Sequence, residues 1–191
     1  MEIFDLTTSN TSLLLIDAQE RFQGVIPGLG QDGALLRNLR ILAEGCALLE
    51  IPTVVTEQYP KGLGPTIPSL RSVLPEDTIV AAKTHFSCVD DHVLRDCLCD
   101  SVTGHTRTHW IVAGVEAHVC VLATVADLIG RGAWVVVAAD AVASRDPAHR
   151  DLALEAMRHL GALVVPVESI LFRLQRQAGV GSFKAISALV R

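Results

Sequence analysis

The sequence predicts an α/β fold: a three-layer α/β/α sandwich around a central, mostly parallel, Rossmann-like sheet of about six strands. Three observations carry that expectation. Short continuous apolar runs recur along the chain, as strands buried on both faces do. Stretches with apolar residues at helical spacing lie between them. Half of the 191 residues are hydrophobic, yet only two Trp, one Tyr and five Phe occur, so the core is aliphatic.

The elements follow in order. Leu13 to Ile16 is the first strand, ending at Asp17. Residues 34–49 place Leu35, Leu36, Leu39, Leu42, Ala43 and Leu49 at helical spacing, and Pro52 to Thr56 reads as the second strand. Residues 57–77, rich in proline and with glycines at 62 and 64, predict a long loop of the kind that is functional or mobile. Ile79 to Ala82 leads into Lys83 as the third strand, and residues 91–99 read as a short helix. Trp110 to Val115 is the fourth strand, Val119 to Ile129 its following helix, and Trp134 to Ala139 the fifth strand, ending at Asp140. Pro147 at a first helical turn and Gly161 after Leu160 bracket another helix. Leu163 to Val165 is the sixth strand, followed by helical segments near 169–176 and 182–190. No repeat or linker interrupts this alternation, so residues 1–191 form one domain.

Composition excludes several classes. A chain half apolar buries enough surface to fold. Its longest apolar runs are far short of the roughly 20 residues that span a bilayer, so no membrane association is expected. A net charge of −5 without a Lys/Arg run argues against a nucleic-acid partner. The N-terminal MEIFDLTTSN has neither a basic nor an apolar leader, which points to a cytoplasmic protein. Five cysteines (Cys46, Cys88, Cys97, Cys99 and Cys120) are an odd set that fits reduced thiols better than a disulfide framework. Cys97 and Cys99 lack the spacing of zinc or redox motifs and read as helix packing. The surplus of aliphatic residues predicts a homo-oligomer.

In open parallel sheets ligands bind beyond the carboxyl ends of the strands. Three polar features stand there: Asp17 after strand one, Lys83 after strand three, and Gly114-Val115-Glu116-Ala117-His118-Val119-Cys120 after strand four. Together they make chemical sense. A thiol in the first turn of a helix, near an ammonium, is expected to have a lowered pKa, and a carboxylate can take and return its proton. Backbone amides at the helix start can hold an oxyanion. His118 reads as structural or pocket-lining, because two residues before Cys120 its side chain points elsewhere. His85, His92, His105 and His109 read as solvated.

LLLIDAQERF (13–22), KTHFSC (83–88), GVEAHVCV (114–121) and VVVAADAVASR (135–145) make the chain resemble the isochorismatase-like cysteine hydrolases over roughly residues 11–190. TEQYPKGLGPTIPSL (56–70) is similar to the isochorismatase-domain-containing branch. The resemblance implies the isochorismatase-like hydrolase fold and a Cys-Asp-Lys triad, with Cys120 as nucleophile, Asp17 as base and Lys83 as cation. It further implies a non-proline cis peptide at Val115-Glu116 and an oxyanion hole from the amides of Glu116 and Cys120. Gln19 and Phe22 match pocket-lining positions. Glu57, Gln58 and Tyr59, read from their place at the end of strand two, are further substrate-binding candidates.

Departures from the family pattern narrow the function. Nicotinamidases carry an Asp-x-His zinc pair where this chain has Thr56-Glu57-Gln58-Tyr59, and no histidine precedes His85, so no metal and no cofactor are expected. Isochorismatases proper lack the nucleophilic cysteine. Val89 stands where much of the family has Phe, implying a reshaped pocket wall. The expected function is a hydrolase that cleaves a C–N amide-type bond of a small molecule through a Cys120 thioester. The alternatives are a catalytically idle oligomeric scaffold of the same fold and, lacking any Cys-x-x-Cys, a thiol redox protein pairing Cys120 with Cys88.

Overall fold

In the computed structural model, which describes residues 2–91 and 107–191, six strands form one parallel sheet. They are β1 (Thr11–Ile16), β2 (Thr53–Gln58), β3 (Ile79–Lys83), β4 (His109–Val115), β5 (Trp134–Ala143) and β6 (Leu163–Val165), in the order 3-2-1-4-5-6. Every pairing is parallel, with Ile16 opposite both Thr56 and Gly114. The helices are α1 (Ala34–Leu48), the single turns α2 (Pro60–Leu63) and α3 (Pro68–Arg71), α4 (Leu122–Gly130), α5 (Pro147–His159), α6 (Val167–Gln175) and α7 (Phe183–Leu189). A π-helical turn, Ala117–Val121, runs straight into α4. The expected helix at 91–99, with Cys97, Cys99 and His92, and also His105, lies outside the described residues.

Strand alternation divides the core into two layers. Leu13 and Leu15 of β1 face α1, α6 and α7, packing with Leu39, Leu42, Ile170 and Leu171. Leu14 and Ile16 point the other way, toward α4 and α5, and pack with Val125, Leu128, Leu154 and Met157. All six residues of β1 are buried, which is why its sequence reads as a continuous run and not as an alternation. Helix α5 begins as expected: Pro147 occupies its first turn and Asp146 caps it, accepting from the amide of Ala148 at 2.8 Å.

Three expectations need correction. Residues 57–77 are anchored through two short helical turns, with Ile67 and Leu70 buried, because the apolar residues among the prolines dock on the core. Strand β5 continues to Ala143, past Asp140, since a register shift between Val112 and Gly114 of β4 lets pairing resume. His109 is buried, not solvated, its ring held between the Thr108 hydroxyl and the Glu2 carbonyl. His85 is exposed as expected.

The strand order reverses direction at β1, with β2 and β3 on one side and β4 to β6 on the other. Connections leave that point to opposite faces, which opens a crevice at the carboxyl ends of β1 and β4. Gly114 lets those two strands meet there. Its φ is +118°, and a Cβ would stand 2.0 Å from the Ile16 carbonyl oxygen.

Candidate functional site

The crevice collects the residues singled out at strand ends. Asp17 follows β1 with φ of 52° and is fully buried. Its Oδ2 accepts from Lys83 Nζ at 2.8 Å and its Oδ1 from the Thr56 hydroxyl at 2.7 Å. Lys83, the last residue of β3, is equally buried, and its ammonium also meets Gln58 Oε1 at 2.7 Å and the carbonyls of His85 and Phe86. Burial works against that ammonium, but the Asp17 carboxylate beside it leaves the Lys83 pKa above its ordinary value.

Cys120 lies in the π-helical turn after β4, 6% exposed and packed in the α4/α5 layer. The bond from Val115 to Glu116, just before that turn, is cis. The amides of Val119 and Val121 in that turn both donate to the Glu116 carbonyl. Contrary to the expected lowering, the Cys120 thiol is pushed up to about 12. Burial is the main cause, and the Asp17 carboxylate adds to it as a neighbouring charge and hydrogen-bond partner, while Lys83 acts in the opposite sense. The resting thiol is therefore neutral, with its proton directed at the carboxylate.

The side chains expected to meet substrate separate into two kinds. Gln19 is buried and spends its amide on the protein: Nε2 donates to the carbonyls of Gln58 and Gly64, and Oε1 accepts from the Gln58 amide. With the Gln19–Thr66 bridge, this ties the segment after β1 to the 59–70 loop. Gln58 divides its side chain between Lys83 and the Thr84 carbonyl. Phe22 is half-buried in a short 3-10 helix, Glu20–Gly24, against the α1 layer. Tyr59 is 56% exposed, its ring lying over Gly62, where any Cβ would come within 2.6 Å of it. Tyr59 lines a cleft of about 350 Å³ together with Pro60, Lys61 and Thr84.

Glu116 accepts from both the amide and Nε of Arg145, so the residue carrying the expected oxyanion amide is clamped to the segment after β5. His118 bonds to the Ser144 hydroxyl and packs on His149, away from a pairing with Cys120. Glu57, in the place of the zinc pair of nicotinamidases, accepts at Oε1 from the amide and the hydroxyl of Thr66. Among the described residues, no group of three or more His, Cys, Asp or Glu is arranged to hold a metal ion.

Sequence reasoning passed over Thr56 and Thr124. Thr124 donates to the Cys120 carbonyl at 2.7 Å and accepts from the Cys88 amide at 3.0 Å, joining the turn that holds Cys120 to the segment after β3. The available signal was a hydroxyl in an otherwise apolar, buried run, where each polar group needs a partner.

The isochorismatase domain model matches residues 11–169, which include every residue of this constellation. The chain belongs to the isochorismatase family. Isochorismatase domain-containing protein 2 of Danio rerio is 36% identical over 97% of this chain and 89% of its own length. A solved Caenorhabditis elegans protein, described as the MAR1 ribonuclease, is also 36% identical, with a TM-score of 0.88 over 97% of this chain and 91% of that one. The Escherichia coli YcaC product, an octameric hydrolase of unknown specificity, shares the fold at a TM-score of 0.82 and 22% identity, covering 97% of this chain and 87% of its own. Membership in the isochorismatase family accounts for the six-stranded parallel sheet and the crevice at its reversal point.

Proposed function

We propose that this isochorismatase-family chain is a cysteine hydrolase that cleaves a C–N amide-type bond of a small molecule through a thioester on Cys120. The observation that carries the reading is a buried Asp17–Lys83 pair at 2.8 Å, placed against a buried thiol at the reversal point of the sheet. Asp17 takes the Cys120 proton as sulfur attacks the carbonyl carbon, and Lys83 balances the charge that moves. The oxyanion is held by the amides of Glu116 and Cys120. Collapse expels the amine, which leaves with the proton from Asp17. Water then gives a proton to the same carboxylate and attacks the thioester, releasing the acid and restoring the thiol. Phe22 and Tyr59 wall the substrate, while Gln19 and Gln58 hold the frame around it.

An idle scaffold has no use for such a site. Replacing a buried ion pair by apolar side chains is often neutral or stabilising, so fold maintenance alone does not call for Asp17 and Lys83. The C. elegans relative's description makes RNA a substrate to include in the test, although a chain of net charge −5 is poorly suited to a polyanion. The deciding experiment is a hydrolysis screen over small amides read by ammonia release, with single-stranded RNA in parallel. Turnover of an amide by the wild type, lost in Cys120→Ala, is expected. Near-wild-type turnover by Cys120→Ala ends the covalent reading, and cleavage of RNA alone replaces the amide with a phosphodiester.

A further inference from the structure

Asp17, just after β1, and Lys83, at the end of β3, stand on strands that do not touch. Strand β2 lies between β1 and β3, and neighbouring strands are about 4.8 Å apart, so the two side chains meet across a gap of about 10 Å. Two residues of β2 fill that gap. Thr56 is opposite Ile16, next to Asp17, and gives its only hydroxyl proton to Oδ1. Gln58 is opposite Lys83 and accepts from Nζ, while its Nε2 is fixed by the Thr84 carbonyl. Two positions apart on one strand, Thr56 and Gln58 face the same side.

We infer that β2 is the jig of the site: Thr56 and Gln58 are positioning residues that hold the Asp17 carboxylate aimed at Cys120 and the Lys83 ammonium beside it. This rests on the reading of Asp17 as the base for Cys120. The physical case is one of choice denied. The Thr56 side chain is fully buried, so its proton has no water to turn to, and its oxygen receives at most a long contact of 4.0 Å from the Cys88 thiol. That single bond from its hydroxyl therefore sets the orientation of the Asp17 carboxylate. The Lys83 ammonium has three protons for four acceptors, all protein oxygens, and so it acts on Cys120 through charge. Strand formation does not need the Thr56 hydroxyl, since valine suits a buried strand at least as well.

The test is the rate of Cys120 alkylation by iodoacetamide, mapped by mass spectrometry on the full chain from pH 4 to 10, which needs no substrate. The wild type should show a plateau near neutral pH, set by proton transfer to Asp17, and a rise above pH 9 as the thiol ionises directly. Thr56→Val should lower the plateau several-fold, and Thr56→Ser should restore it. Gln58→Leu should likewise lower the plateau several-fold. Asp17→Asn is the control for the parent reading, and a plateau that survives it overturns Asp17 as base. A plateau lost in Asp17→Asn but untouched in Thr56→Val and Gln58→Leu overturns the role of β2 alone. Should Thr56→Val fail to fold, Gln58→Leu decides, and an unchanged plateau counts against the inference.

Discussion

Cys120 rests as a neutral thiol because burial raises its pKa further than Lys83 lowers it. In the proposed mechanism its reactivity is therefore made when Asp17 takes the proton, not stored beforehand as thiolate. Alkylation of Cys120 near pH 8 should be slower than that of an exposed cysteine. Removing the neighbouring charge that lowers the thiol pKa, in Lys83→Ala, should move the direct-ionisation limb of the rate profile to still higher pH. Asp17→Asn should move that limb down, since the carboxylate contributes to the rise, while turnover falls about 10²–10⁴-fold with loss of the base. Opposite shifts on the two variants, read by mass-mapped labelling against pH, are the signature expected; shifts in one direction would contradict the electrostatic account.

At the scale of elements, the meeting of β1 and β4 decides whether the crevice exists. Gly114 pairs with Ile16, and a methyl group there would overlap the Ile16 carbonyl. Neither chain can yield, because both strands are buried in the middle of the sheet. Gly114→Ala should lower stability by about 3 kcal/mol or more in urea unfolding, through overpacking and a strained φ. Gly62→Ala, under the Tyr59 ring, acts at an exposed turn and should leave the unfolding midpoint near wild type while displacing the ring. A substrate walled by Tyr59 would then show a raised KM with kcat retained, measured on whichever amide the screen identifies.

At the scale of the whole molecule, alkaline pH should expose the buried thiols. Cys46 and Cys120 are pushed up to about 12 and Cys88 to about 11, all chiefly by burial, from an ordinary 9.0. Above pH 9 the unfolded chain releases protons that the folded chain retains. Stability supplied by the neutral thiols is thus complete below pH 9 and is lost progressively toward pH 11–12. Thermal midpoints at pH 8 and pH 10.5 check this, with Cys46→Ala expected to lessen the difference. The surface also carries large apolar side chains, including Phe86 at 61% and Leu152 at 64% exposure. A homo-oligomer is the expected state; light scattering that finds only a species of about the 20.5 kDa chain mass at micromolar concentration would remove it.

By itself the sequence determined the order of strands and helices, the fold class and the strand ends where chemistry gathers. Those features are written in local periodicity, in Pro147 and Gly161, and in motifs of adjacent residues such as Asp17 to Gln19 and Gly114 to Cys120. Only tertiary structure decided how the site is wired. Gln58 reads as a substrate contact until β2 is placed between β1 and β3, where its oxygen faces Lys83. Thr56 is one more strand residue until Asp17 turns toward it from the neighbouring strand. Cys120 reads as a lowered-pKa thiol at a helix start until the depth of its burial is known. The physical reason is common to all three. Hydrogen-bond partners and desolvation depend on groups dozens of residues away, and neither propensity nor spacing carries that information.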